Sequence, residues 1–266
     1  MLTLLGVTKR YGDPQTGTLA VQDLTFDIGT NEVVTIVGPS GCGKTTVLKL
    51  MAGLLTPTAG TISINGAAVT RPPEEIALVF QDYLNSLYPW MTVAQNVEFP
   101  LKRKVRERAV RAERVATALE SVGLVGFEGK YPWQLSGGMQ QRVAIARGLA
   151  YQPQMLLMDE PFGALDAQTR ADLEDLVLRV RDAFDITIVF VTHDIDESVY
   201  LADRVLVMGP RPTFIEADLP VDLPAPRDQI ESKELPEFAR VRSDVYRRIR
   251  RSSEAMRTAS TQTVGS

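Results

Sequence analysis

The sequence predicts an α/β fold, and three features carry that expectation. A glycine-rich run, Gly38-Pro-Ser-Gly-Cys-Gly-Lys-Thr45, lies between the apolar run Val33 to Val37 and the helix-like Thr46 to Met51. Met155 to Met158 and Ile186 to Val191 are almost wholly apolar, as strands buried on both faces of a parallel sheet are. Between the glycine run and these strands the pattern turns helical from Thr92 to about Ala150, where Ala112, Val115, Ala116, Leu119 and Val122 recur on one helix face.

Composition narrows the class. A chain of 266 residues buries roughly 70 to 75% of its unfolded surface and needs no covalent staples. Its only cysteine, Cys42, has no intramolecular partner for a disulfide, which fits a reducing compartment. The net charge of −4 and pI of about 5.3 do not favour nucleic acid. Lys102, Arg103, Lys104, Arg106, Arg108 and Arg111 form a basic run, but Glu107 and Glu113 interrupt it without stacking aromatics, so a solvated helix face is expected. Met1 to Leu5 is not a secretory core, and no apolar stretch approaches a bilayer span. A soluble, cytoplasmic chain is expected, reaching a membrane only through a partner.

The elements follow in order. Residues 1 to 30 alternate in the β manner (Leu2, Leu4; Leu24, Phe26, Ile28) around turn material at Gly12 to Gly17, and Thr61 to Gly66 resembles an edge strand. Together these suggest an antiparallel lobe. Tyr11, flanked by Lys9 and Arg10, is either a packing tyrosine or one that stacks on an adenine ring. The glycine run matches G-x-x-x-x-G-K-[ST] in the strand-to-helix context that pattern needs. Gly38, Gly41 and Gly43 can turn successive N–H groups inward and make a nest for phosphates at the helix start. Lys44 would reach the β- and γ-phosphates, and the Thr45 hydroxyl would ligate Mg²⁺.

Ile76 to Phe80 reads as a short strand delivering Gln81 to the edge where ligands gather in open α/β sheets. Asp82 to Met91 is irregular, with Leu87, Tyr88 and Trp90 exposed or half exposed, either as a contact surface or as a packed loop. Ser136 reads as the N-cap of a helix opening with Gly137 and Gly138, a second phosphate-binding device far from the first in sequence. Asp159 and Glu160 end the apolar strand from Met155. They suit Mg²⁺ binding and general-base work beside a phosphate loop, with helix-start capping as the plainer alternative. Asp166 caps the next helix, to about Val180. The last of the apolar strands delivers the only histidine, His193, and Asp194 with Glu197 forms a capping box. After Arg204 to Met208 the prolines at 210, 212, 220, 224 and 226 suggest an extended connection. Glu237 to Met256 reads as a docked basic helix, followed by a Ser/Thr-rich tail from Thr258 expected to be disordered.

In this order the glycine loop, Gln81, Leu135-Ser-Gly-Gly-Met-Gln-Gln-Arg142, Met155 to Glu160, Gly163-Ala-Leu-Asp166 and His193 resemble the nucleotide-binding subunit of an ABC transporter over residues 1 to 230. The resemblance implies a P-loop NTPase, RecA-like α/β core with an antiparallel β lobe, residues 1–81 and 151–209. It also implies an inserted α-helical subdomain at about 82–150, and a C-terminal helix and tail at 231–266. It implies an ATPase with Mg²⁺. ATP is held by Tyr11, Gly38, Pro39, Ser40, Gly41, Cys42, Gly43, Lys44, Thr45 and Thr46, and in trans by Ser136, Gly137, Gly138, Gln140 and Asp166 of a second copy. Thr45, Gln81 and Asp159 are the metal-linked residues, and Glu160, His193 and Gln81 the catalytic ones.

The partners implied are that second copy, an integral membrane permease at the cytoplasmic face of the inner membrane and, indirectly, a solute-binding protein; nucleic acid is not among them. Phe80-Gln-Asp82, Leu87 to Val93, Asp159 to Asp166 and Gly209 to Pro212 resemble importers of nitrate, taurine and aliphatic sulfonates. The alternative is a soluble non-transport ABC ATPase for translation, DNA or cofactor assembly, which the acidic single cassette disfavours. Asp13 to Thr18 lengthens the turn after Tyr11 relative to the family and bears on where the ring sits. Cys42 at a helix start is expected to favour its thiolate, with labelling blocked by MgATP.

Overall fold

A computed structural model of the chain describes residues 1–80, 86–163 and 165–263, those from 255 on by backbone alone. Two compact units divide it, residues 1–73 with 189–266, and residues 74–188.

The first unit holds an antiparallel sheet. β1 (Leu2–Tyr11) lies between β2 (Thr18–Ile28) and β4 (Ala59–Ile64), and the two-residue β5 (Ala67–Ala68) flanks β4. Period-two alternation puts Leu2, Leu4, Leu24, Phe26, Ile28, Ile62 and Ile64 on one buried face. The register pairs Leu4 with both Phe26 and Ile62, so that face is continuous across three strands. Each such side chain contributes about 1.5–3 kcal/mol when fully buried, which holds the lobe together without help from its polar outer face. Gly60 has φ +82° and passes so close to the neighbouring strand that a Cβ there would lie 2.3 Å from the Gly6 carbonyl oxygen.

The remaining strands run in the order β10-β9-β3-β8 in the first unit and β7-β6 in the second. The first unit contributes β3 (Val33–Val37), β9 (Arg204–Met208), β10 (Ile215–Pro220) and the last three residues of β8 (Thr187–Val191). The second contributes β6 (Ile76–Val79), β7 (Met155–Asp159) and the start of β8. β3 runs parallel to β9, and β6 parallel to β7. All five residues of β3, β7 and β8 are buried, which is why these strands are nearly continuous apolar runs, broken only by Thr35, Asp159 and Thr187, and not alternating ones. The proline-rich stretch after Met208 differs from the expected bare connection. It contains β10, antiparallel to β9, and Pro220 falls at the strand's last position on the sheet edge, where a missing N–H costs least.

In the first unit α1 (Lys44–Met51) follows β3 directly, and α7 (Ile195–Leu201) follows β8. The short α8 (Glu231–Glu234) leads into α9 (Pro236–Thr263), which packs on α7 through a narrow stripe of Phe238, Val241 and Val245. α9 remains helical to Thr263, past the point where the composition turns to serine and threonine.

The second unit carries α2 (Val93–Glu98), α3 (Leu101–Lys104), α4 (Arg108–Ser121), α5 (Gly137–Ala150) and α6 (Ala167–Phe184). The buried face of α4 is Val115, Ala118 and Leu119, continued by Val122; Ala112 and Ala116, expected on it, are exposed. Alanine has too little apolar surface to orient a helix against branched neighbours. Arg111 leaves the solvated basic run to pair with Glu98 at 2.8 Å and to cap the Val105 and Arg106 carbonyls.

Leu87 is buried, contrary to the exposed position expected, whereas Trp90 is 69% exposed. The loop is held by the buried Asn96. Its Oδ1 accepts from the Tyr88 N–H at 2.8 Å, and its Nδ2 donates to the carbonyls of Tyr88, Met91 and Thr92. Those bonds turn Leu87 inward and leave Tyr88 packed against Trp90 and Phe99. No helix among the described residues is long and apolar enough to cross a membrane.

Candidate nucleotide site

The first unit contains the glycine loop. Gly41 (φ +74°) and Gly43 (φ +125°) take the left-handed and mirror-side conformations that only glycine adopts without strain. Gly43 then serves as the N-cap of α1, so the loop ends in uncovered helix N–H groups at the positive end of the dipole. Gly38 has a different reason from the one expected. Its φ is not positive; instead a Cβ there would lie 2.9 Å from the Met208 carbonyl oxygen. Glycine is needed at Gly38 because β9 passes close behind the loop.

Lys44 is nearly buried, and its ammonium donates to the carbonyls of Gly38 (3.0 Å) and Pro39 (3.3 Å). The cation is thus held inside the turn of the loop. Pro39 is buried, Ser40, Gly41 and Thr45 are exposed, and Thr46 is half-buried.

Tyr11 closes β1 and is 40% exposed, with its hydroxyl 3.3 Å from Thr46 Oγ1 in the first turn of α1. The longer turn after it does not carry the ring away. Asp13 folds that turn by accepting from the N–H groups of Gln15 and Thr16, which hold its carboxyl below the usual carboxylate range. Arg10 clamps the far side by donating to the Gly17 carbonyl at 2.7 Å. The hairpin closes tightly enough that Tyr11 stands in register with Thr18.

Cys42 corrects an expectation. Its side chain is fully buried and desolvation pushes its thiol pKa up, outweighing the pull of Lys44, so the thiolate is disfavoured despite the nearby helix start. Alkylation of the folded protein by a neutral maleimide should therefore be far slower than that of the urea-unfolded chain, with or without nucleotide. Mass spectrometry over time checks this, and rapid native labelling would refute the burial.

β8 ends beside β3, as the Thr192 N–H donates to the Ile36 carbonyl at 3.2 Å. His193 follows at once and is exposed at the same strand end from which the glycine loop departs. The capping box expected after it is only half formed. Asp194 caps α7 by accepting from the N–H groups of Asp196 and Glu197. The Glu197 carboxylate, however, is buried and takes the Thr192 hydroxyl.

In the second unit β7 delivers the buried Asp159 and the half-buried Glu160. Glu160 has φ +42°, an uncommon conformation for a residue with a Cβ and of the kind that gathers at functional strand ends. Neither residue is the N-cap of a helix among the described residues. Asp166 is, accepting from the Thr169 N–H (3.0 Å) and hydroxyl (2.7 Å), which lowers its pKa. Ser136 caps α5 by accepting from the Met139 N–H at 3.3 Å, and Gln140 donates back to the Leu135 carbonyl. Gly137 is half-buried; Gly138 is buried, and a Cβ there would lie 2.5 Å from Thr169 Cγ2, so the starts of α5 and α6 touch at this glycine. Gln81 lies outside the described residues.

Two supporting residues carried no local signal in the sequence. Met208 backs Gly38, and Thr213, fully buried, packs 3.5 Å from the Cβ position of Gly43 while its hydroxyl donates to the Gly209 carbonyl. Both come from the far end of the chain, where only the sheet order brings them to the loop.

Comparison with known proteins agrees with this geometry. A family model described as ABC transporter matches residues 21–163. The nitrate import ATP-binding protein NrtD of Synechocystis sp. is 44% identical over 232 residues, covering 85% of this chain and 86% of that protein. The aliphatic sulfonates import ATP-binding protein SsuB of Bacillus licheniformis is 45% identical over 239 residues, 90% of each chain. Among solved structures, the dimeric, post-hydrolysis ATP-binding cassette MJ0796 with ADP and Pi superposes with a TM-score of 0.72 at 33% identity, covering 83% of this chain and 99% of that one. With a glycine loop of this geometry, a family match over more than half its length and relatives this similar along most of it, the chain belongs to the ABC transporter family as an ATP-binding subunit.

Proposed function

We propose that this chain binds and hydrolyses ATP as one half of a dimer and drives solute import through a separate membrane permease. The single observation that carries the proposal is the glycine loop, with Gly41 and Gly43 turned to positive φ and Lys44 held at its base, in a member of this family.

In this proposal Tyr11 stacks on the adenine, and Pro39, Ser40, Cys42 and Thr46 shape the loop around Gly38, Gly41 and Gly43. The loop N–H groups and Lys44 grip the phosphates. Ser136, Gly137, Gly138 and Gln140 of the second copy close on the γ-phosphate at a helix N-terminus, with Asp166 crossing beside them. Thr45, Asp159 and Gln81 are the oxygen donors for Mg²⁺. A hydroxyl, a carboxylate and an amide suit a hard cation that arrives with substrate phosphates and keeps much of its water. Among the described residues no three His, Cys, Asp or Glu side chains gather as a closed metal cage, and a cation bound in this way needs none. When bound, Mg²⁺ supplies charge neutralisation on the β- and γ-phosphate oxygens. Glu160 takes the proton of the attacking water, His193 holds the γ-phosphate and that water, and Gln81 reports the state of the site to the helical segment.

Work comes from differential binding. Two nucleotides bridging two half-sites favour the closed dimer, and hydrolysis removes the bridge. Moving such an equilibrium from 1:99 to 99:1 takes about 5.5 kcal/mol of differential affinity, within reach of two bridging triphosphates.

The permease is proposed to dock a cytoplasmic helix in a groove of the second unit of about 640 Å³, lined by Ile76, Phe80, Tyr88, Phe99, Arg147 and Tyr151. The solute proposed, from the relatives' names, is nitrate, taurine, a sulfonate or another small solute handed over by a solute-binding protein. Residues 82–150 are the proposed helical subdomain, between core segments 1–81 and 151–209.

Complementation tests the composite site. Lys44→Ala and Ser136→Arg chains should each be inactive alone, whereas their mixture should regain phosphate release, because one site of the mixed dimer keeps an intact loop and an intact partner helix. A mixture as inactive as its components would sink the dimer proposal. Recovery of the native chain with ribosomes and never with a hydrophobic permease would reject the transport role.

A further inference from the structure

Two buried threonines reach α7, Thr35 within β3 and Thr192 directly after the last residue of β8. Thr35, fully buried in β3, donates its hydroxyl to the Ser198 carbonyl at 3.1 Å. Thr192, 2% exposed at the end of β8, donates its hydroxyl to the Glu197 carboxylate and accepts from the Asp194 N–H at 2.9 Å. A hydroxyl buried in a β core is destabilising unless it is bonded, so these positions call for an explanation that apolar packing cannot supply.

Their common effect falls on the turn between them. His193 sits between Thr192, tied on its N–H side to Ile36 and on its hydroxyl side to Glu197 and Asp194, and Asp194, whose carboxylate holds the first turn of α7. Ser198 adds a bond from its N–H to the Asp194 carbonyl at 3.1 Å and one from its hydroxyl to the Ile195 carbonyl at 2.7 Å. The backbone on both sides of His193 is therefore locked to β3, the strand that runs into the glycine loop. Glu197 is not needed as a cap, since Asp194 already performs that task. A carboxylate is costly to bury, and at 5% exposure this one spends its burial on Thr192.

We propose that Glu197 is a positioning residue: acting through the Thr192 hydroxyl, it fixes the turn that carries His193 relative to β3 and the glycine loop. This rests on the γ-phosphate role given to His193 above and names what holds that residue in place. The Thr35 hydroxyl ties the same helix to β3 at the next residue, Ser198.

The test uses the full chain, with steady-state phosphate release for kcat and KM and equilibrium binding of ATP measured separately. Glu197→Ala should lower kcat by about 10- to 100-fold, the scale of a displaced catalytic group, while ATP affinity changes less than about threefold. Thr192→Val should reproduce the kcat loss, and Thr192→Ser and Glu197→Gln, which keep a hydroxyl donor and an acceptor oxygen, should restore most of it. In a His193→Ala background Glu197→Ala should cause no further loss, because the residue it positions is gone. Losses that multiply in that background, or Glu197→Ala turnover equal to wild type while His193→Ala is inactive, would overturn the proposal. Wild-type turnover in His193→Ala would instead overturn the role assigned to His193. If Glu197→Ala does not fold, Thr192→Val and Thr192→Ser carry the same comparison.

Discussion

Glu160→Gln should lower steady-state ATP turnover by about 10²- to 10⁴-fold, the contribution of a positioned general base, and leave nucleotide binding intact. The amide keeps the size and most of the hydrogen bonding of the carboxylate but cannot accept a proton from water. The variant should also accumulate as a nucleotide-bound dimer, since the bridge between the copies is no longer removed; size exclusion with and without MgATP reads this. Two local features make Glu160 the residue to change. It directly follows a strand whose five residues are all buried, and its φ of +42° is a conformation that a residue with a Cβ adopts only when its surroundings impose it. Asp166 is the cap of the following helix, so Glu160→Gln does not cost a capping interaction. Turnover at the wild-type rate would remove Glu160 from the chemistry.

Lys44→Ala should weaken ATP binding by about 10- to 100-fold, which corresponds to the roughly 1.5–3 kcal/mol typical of a hydrogen bond to a charged group. Equilibrium binding in the Glu160→Gln background, where hydrolysis does not interfere, measures it directly. The ammonium is nearly buried and held by the Gly38 and Pro39 carbonyls, so its position is set before the phosphates arrive and little side-chain entropy is lost on binding. Lys44→Arg should not rescue the loss, because a planar guanidinium fork does not fit where a compact ammonium meets two adjacent carbonyls. Unchanged affinity in Lys44→Ala would show that the loop N–H groups alone hold the triphosphate.

Much of the candidate site is legible in the sequence because its signals are local. Gly41, Gly43 and Lys44 sit at fixed spacing in one loop, and Ser136, Asp166 and Asp194 are caps whose partners lie two or three residues away. Asp159, Glu160 and His193 are marked by the apolar strands that precede them. The antiparallel lobe shows itself in the same way, by the alternation of Leu2, Leu4, Leu24, Phe26 and Ile28.

Elsewhere the determinant is a distant neighbour. Gly38 looks like a flexible loop residue, and only its approach to Met208, brought alongside by β9, gives the reason for glycine there. Cys42 looks like an activated thiol at a helix start; burial reverses its chemistry. Glu197 looks like half of a capping box, but Thr192 offers its carboxylate a buried partner that the helix start cannot match.

From sequence alone, then, come the family, the phosphate loop and the strand ends proposed to carry the chemistry, since short-range spacing and apolar runs encode them. The tertiary structure alone decides which glycine is needed for packing, which thiol is inert and which carboxylate holds His193's turn. Each of those depends on desolvation and close approach between segments far apart in the chain, and no local pattern records them.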